Sequence, residues 1–277
     1  MKRVLLFGLL LSTTLLTEAQ LKTPAPSPAQ SLRQDFGLGN IEISYSRPGV
    51  RGRKIFGDVV PFGQVWRTGA NNATTIAFTD EVIIGGKKLA PGKYGLLTIP
   101  GSKEWVVIIS KQTNVTSPAD YKADQDLVRV NAAAAKSKTA TETFTISLQD
   151  IKNTSCNLVI SWDKRQITVP IQTEIEAKIM ANIEAAMKTE KPPYYNAAMY
   201  YMDNGKDLNQ ALSWFDKAVE ANPTAFWIHY QRANCLAKLG KKAEAIAGAE
   251  KSKQLATEAK NGDYVKLNEK LIAELNK

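Results

Sequence analysis

Histidine occurs once in the 277 residues, at His229, and cysteine twice, at Cys156 and Cys235. A histidine-based zinc site and a Ser-His-Asp triad are therefore excluded from the first half of the chain, which has no imidazole to offer. No nucleophile motif, metal-ligand cluster or cofactor fingerprint is present, so no catalytic residue, metal or cofactor is assigned and the reading leans away from an enzyme. Long apolar runs are missing beyond the N-terminus. None approaches the roughly 20 residues that a membrane-crossing helix needs. The two cysteines fall in segments assigned below to different domains, and two buried free thiols are expected.

What is present begins with a leader. Lys2 and Arg3 precede the apolar stretch Val4 to Leu16, and Thr17-Glu18-Ala19 supplies small residues for cleavage. Residues 1–19 read as a signal peptide, with a mature start at Gln20 and an exported chain, periplasmic or secreted, without a transmembrane segment. No cysteine stands at the junction to carry a lipid. Residues 20–32 contain Pro24, Pro26 and Pro28 among small polar residues and read as an extended tether.

Positive charge is concentrated in one half. Residues 20–172 carry 19 Lys+Arg against 12 Asp+Glu, whereas residues 173–277 carry 15 against 14. A basic exported half suits acidic glycans or other anionic envelope components, and export argues against nucleic acid as a partner.

From Ile41 to Gln172 the apolar pattern has period two. In "IEISYS", Ile41, Ile43 and Tyr45 alternate with Glu42 and Ser44. "EVIIGGKKLA" reads as a hairpin turning at Gly85-Gly86, and "GKYGLLTIPGSKEWVVIIS" as two strands around Pro100–Lys103. "ETFTISL", "SCNLVISW" and "RQITVPI" follow, the last two bridged by Asp163-Lys164. Eight to ten short strands predict an antiparallel β-sandwich over residues 33–172.

At Thr173 the period changes to that of a helix. Thr173 and Glu176 have capping-box spacing, and Ile175, Ile179 and Ile183 form one stripe. Two stretches then align: Ala198, Gly205, Ala211 and Ala218 fall on Ala233, Gly240, Ala245 and Ser252. This resembles the tetratricopeptide repeat, in which small residues let paired helices approach and glycine ends the first helix. Residues 173–277 are read as an all-α domain of such repeats, with terminal helices at Thr173–Lys188 and Asp263–Leu275. The resemblance implies a protein partner, and Tyr194, Tyr201, Trp227 and Tyr230 are the candidates for its groove.

The stretches "YSRPGVRGRKIFG", "VWRTGANNATTI", "IGGKKLAPGKYGLLTIPG" and "WVVIIS" occur in this order. Together they resemble an exported family catalogued as domain of unknown function 2911, frequent in Bacteroidota, over about Ser27 to Gln172. The resemblance supports boundaries and compartment and carries no reaction. It also leads one to expect a tryptophan near Tyr121, where none occurs.

Candidate ligand-binding residues are Arg47, Arg51, Arg53, Trp66, Arg67 and Asn71. Glycines between the arginines allow close backbone approach, and Arg67 beside Trp66 offers a planar fork and an aromatic platform for a carboxylate, phosphate or sugar. The preferred expectation is structural, a corner of the fold first and a site second. Arg67 and Arg47 would pair with Asp35, Asp58 or Asp80, and Trp66 would be core. Asp120, Asp124 and Asp126 offer oxygens for calcium, but lack the rest of an EF-hand loop. The leading reading is a non-enzymatic envelope binding or scaffolding protein. The alternative is a glycan or ester hydrolase using carboxylates near the arginine loops.

Overall fold

The computed structural model describes residues 23–277, so the expected signal peptide and the start of the tether lie outside the described residues. The chain divides between Glu174 and Ile175 into two compact units. The first is an antiparallel β-sandwich and the second is a set of tetratricopeptide-like helices.

The sandwich has ten strands: β1 (Ala29–Phe36), β2 (Gly39–Ser46), β3 (Thr75–Phe78), β4 (Val82–Ile84), β5 (Lys87–Leu89), β6 (Gly92–Ile99), β7 (Glu104–Ser110), β8 (Asp126–Ala133), β9 (Ala135–Gln149) and β10 (Ser155–Gln172). One sheet runs β1-β2-β3-β6-β7-β8 and the other β5-β4-β10-β9. Their facing sides share one core, in which Ile41, Ile43, Leu96 and Val107 meet Ile84, Phe144, Ile160 and Val169. The Gly85-Gly86 turn has φ of 58° and 76°, as the primed hairpin requires.

Three local expectations are corrected. Residues 29–32 belong to β1 rather than to the tether, and β1 pairs with β2 along its whole length, from Ala29 opposite Ser46 to Phe36 opposite Gly39. It is an edge strand held by main-chain bonds, and only Phe36 is fully buried, so its composition carries no apolar signal. Asp163-Lys164 is a bulge inside the single strand β10 and not a turn. Asp163 has φ of 49°, and the register with β9 shifts on either side of it. Strand β8 lies in a segment with no expected strand.

The first sheet is apolar on both faces at β6 and β7, which explains the unbroken runs "GLLTI" and "WVVIIS". Trp105, Val107 and Ile109 point to the main core, while Leu97 and Ile108 bury against Val115 on the other side. Residues 111–125 thus cover the outer face. Gly95 permits the crossing, because a Cβ there would come within 2.0 Å of the Gln112 carbonyl oxygen.

The second unit contains α1 (Glu176–Ala186), α2 (Tyr194–Asp203), α3 (Leu208–Ala221), α4 (Phe226–Lys238), α5 (Lys242–Glu258) and α6 (Gly262–Leu275). Helices α2/α3 and α4/α5 are the two aligned repeats. Ala198, Ala233, Ala211, Ala245, Ala218 and Ser252 are all buried at the helix contacts. Gly205 and Gly240 both end their helices with left-handed backbone, φ 64° and 75°. The expected capping box is absent. Helix α1 starts after Ile175 with no side-chain cap, and the Thr173 hydroxyl instead donates to the Glu81 carbonyl at 2.8 Å. Glu176 pairs with Lys206.

Candidate functional site

Trp66 is fixed by the main chain first. Its N–H donates to the Thr98 carbonyl at 2.7 Å and its carbonyl accepts from Thr98 N–H at 3.0 Å, which extends the ladder of β6. Trp66 then packs against the main core. The Trp66 ring stacks on Trp162, with centroids 5.8 Å apart at 16°, and meets Phe144 edge-on at 5.1 Å. Its indole N–H donates to the Gly69 carbonyl at 3.0 Å. Arg67 turns toward the covering loop, where Nη1 donates to the Thr116 carbonyl, and its buried Nε meets no acceptor among the described residues.

The turn that follows is strained in a way its residues accommodate. Thr68 and Asn71 have φ of 57° and 55°. Asparagine adopts this region readily, but threonine is β-branched and does so at a cost. The Thr68 hydroxyl lies 3.0 Å from that of Thr98, and the Thr68 carbonyl accepts from Thr74 Oγ1 at 2.8 Å, so buried bonds hold it there. A Cβ on Gly69 would lie 3.0 Å from both the Ser46 carbonyl oxygen and Thr74 Oγ1. Asn71 is exposed and donates to the Ser27 carbonyl at 3.1 Å.

The arginine-rich loop divides by role. Arg47 donates to the Phe144 carbonyl at 3.0 Å and to Thr145 Oγ1 at 2.8 Å. Main-chain bonds from Phe144 to Pro48 and from Val50 to Glu142 continue that seam, so Arg47 joins the end of β2 to β9. Arg51, at φ 50°, donates its N–H to Glu142 Oε1 at 2.8 Å and its Nη2 to the Pro26 carbonyl at 2.7 Å. Arg53 reaches back to the carbonyls of Gly49 and Val50, at 2.7 Å and 3.2 Å. The expected pairing of Arg47 and Arg67 with carboxylates is corrected: both bond to main-chain carbonyls, Arg47 adding a threonine hydroxyl. The seam places carbonyls at the corner, and no sequence spacing reveals that.

Beside Trp66 lies a cavity of about 350 Å³. Three of the six candidate ligand-binding residues, Arg53, Trp66 and Arg67, line it, whereas Arg47, Arg51 and Asn71 do not. Its wall also includes Gln64, two residues before Trp66, and Trp162, Ser27 and Thr116, which were missed from sequence because they come from distant segments. Among the described residues its wall contains no Asp, Glu, His or Cys.

The loop without the expected tryptophan contributes to this wall through Thr116 and Pro118. Asp120 organises it by accepting from Ser117 N–H at 3.0 Å and from Thr116 Oγ1 at 3.2 Å. Asp124 accepts from Gln125 Nε2 at 3.3 Å, and Asp126 accepts from the Tyr121 hydroxyl and pairs with Arg129 at 3.2 Å, so the three aspartates serve separate local bonds. Burial, reinforced by the bond to Asp126, pushes the Tyr121 hydroxyl up to about 12. Cys156 and Cys235 are free and buried, and burial raises both thiols, Cys156 to about 11. Neither is a ready nucleophile at neutral pH.

In the helical unit, a groove of about 540 Å³ runs between α1, α2 and α3. Met180, Ile183, Met187, Tyr201 and Trp214 line it, with Tyr201 and Trp214 edge to face at 4.7 Å. Of the expected groove residues only Tyr201 is there. The Tyr194 ring lies under Lys217 Nζ at 5.1 Å, and Tyr230 packs edge-on against Tyr264 at 5.6 Å. Trp227 is exposed and meets Phe226 edge-on. Periodicity reveals that these aromatics lie on helices, but not which helix faces remain uncovered.

No curated protein and no solved structure gives a significant match to the chain. A tetratricopeptide repeat model matches residues 214–247, from the end of the first helical repeat into the second. Residues 27–171 match the model described as protein of unknown function (DUF2911), which spans the whole sandwich and its cavity. That match covers more than half of the 277 residues, and the chain belongs to the DUF2911 family.

Proposed function

We propose that this chain is an exported, non-enzymatic binding protein of the bacterial cell envelope, whose helical repeats engage a protein partner and whose sandwich receives an acidic ligand. A DUF2911 domain joined to tetratricopeptide-like repeats suggests a protein-interaction role. The observation that carries the reading is the open groove of Met180, Met187, Tyr201 and Trp214 on the repeat helices. Half-exposed methionine and aromatic side chains along packed helices are adaptable contact surface for another chain. The hydrolase alternative calls for two carboxylates about 5 to 9.5 Å apart at the site. The arginine-lined cavity offers no carboxylate among its described wall residues, which supports binding over hydrolysis.

The test is site-specific photo-crosslinking in cells that export the chain. A crosslinker at Met187 or Tyr201 is expected to give one discrete protein adduct, and one at the exposed Leu267 none. Equal adducts at all three positions, or none at the groove, would remove the partner reading. Export is checked separately: the N-terminus of envelope material is expected at or near Gln20, and an intact Met1 end would overturn it.

A further inference from the structure

We infer that the cavity beside Trp66 binds a small organic carboxylate with an apolar body, held by Arg53 and Arg67 and packed against the Trp66 ring. This rests on the acidic-ligand reading above and narrows it. Two guanidiniums line the cavity, with no carboxylate among the described residues of its wall. Both guanidiniums are anchored on one side. Arg53 is held by the carbonyls of Gly49 and Val50, and Arg67 by that of Thr116. Each has five N–H donors, so these bonds orient the fork without exhausting it. Anchored guanidiniums suit carboxylate geometry and need little reordering when an anion arrives.

The rest of the wall decides what carries the carboxylate. Val60, Pro61, Val65 and Pro118 are apolar, and Trp66 spends its indole N–H on Gly69 and so presents hydrocarbon. The neutral polar side chains are Ser27, Gln64 and Thr116, too few for the hydroxyls of a sugar chain. A volume of about 350 Å³ lies at the small end of ligand sites. It holds one ring or a short branched chain, not an oligosaccharide.

The full mature chain is titrated with 3-phenylpropionate, its neutral amide, inorganic phosphate and a trigalacturonate, by calorimetry and by the indole N–H resonances. The acid is expected to bind at least about tenfold tighter than the amide, the size of charge-assisted hydrogen bonds. Arg67→Gln is expected to reduce the acid to the level of the amide. Equal binding of acid and amide, or an Arg67→Gln chain that keeps the preference, overturns the inference. Binding of trigalacturonate or phosphate without 3-phenylpropionate overturns it but leaves the acidic-ligand reading standing. Binding of none of the four removes both. Should Arg67→Gln fail to fold, the comparison of acid with amide on the unaltered chain decides by itself.

Discussion

Trp66 and Trp162 lie nearly parallel, 16° apart with centroids separated by 5.8 Å, and this stack joins the loop before β3 to the opposite sheet. Phe144 and Trp105 close around it edge-on. Trp66 is therefore both core and cavity wall. Trp66→Ala is expected to destabilise the sandwich by about 3 kcal/mol, the lower end for a large aromatic because one edge is already open. Trp66→Phe is expected to retain most of that. Urea unfolding followed by near-ultraviolet circular dichroism checks both.

Arg47 ties the end of β2 to β9, whereas Arg67 ties its loop to the Thr116 carbonyl of the covering loop. Removing the Arg47 side chain leaves the Phe144 carbonyl and the Thr145 hydroxyl without this donor in a half-buried seam. Arg47→Ala is expected to cost about 2 kcal/mol, whereas Arg67→Ala, which loses one bond at the cavity mouth, costs about 1 kcal/mol or less. Thermal melts of the two variants side by side test the order. A larger loss for Arg67→Ala would contradict it.

Tyr121 gives the sandwich an alkaline limit. Burial first, then the bond to Asp126, raises its hydroxyl from the ordinary 10.0 to about 12. The unfolded chain releases this proton before the folded one does. The stabilisation is thus complete below pH 10 and is lost as pH rises through about 12. Unfolding free energy is expected to fall more steeply over this window in the unaltered chain than in Tyr121→Phe. Parallel slopes would show that the contact contributes nothing.

Asn268 and Ser252 form a polar pair inside the helical stack. Asn268 Nδ2 donates to Ser252 Oγ at 2.9 Å, and Ser252 Oγ donates to the Phe226 carbonyl at 2.7 Å. Asn268 Oδ1 is buried without a partner among the described residues. Asn268 Nδ2 also donates to the Tyr264 carbonyl at 2.7 Å, so Ser252→Ala alone is expected to cost about 1 kcal/mol by removing one of its two acceptors, and adding Asn268→Ala is expected to recover part of it. Helical circular dichroism during urea unfolding of both single variants and the double variant measures the coupling. Additive losses would contradict it.

How much of this was legible in the sequence depends on which distance carried the signal. Alternation in "IEISYS" identified β2, and Gly85-Gly86 identified the β4–β5 hairpin, because side-chain period and turn dihedrals are properties of adjacent residues. The repeat glycines Gly205 and Gly240 were legible for the same reason. The change at Thr173 marked the passage from strands to helices. Strand β1 was not legible, since an edge strand is held by main-chain bonds that no side chain advertises. Nor was β10 as one strand, because a bulge at Asp163 and a turn there read alike. The arginine cluster announced a basic loop, but its division was decided by the fold. Arg47 met the seam with β9, while Arg53 and Arg67 met a cavity closed by Trp162 and by Thr116 from the covering loop. Local chemistry fixes which elements form and which groups are available. Which of those groups face one another depends on how the sheets and the loop over them pack, and that is a property of the tertiary structure alone.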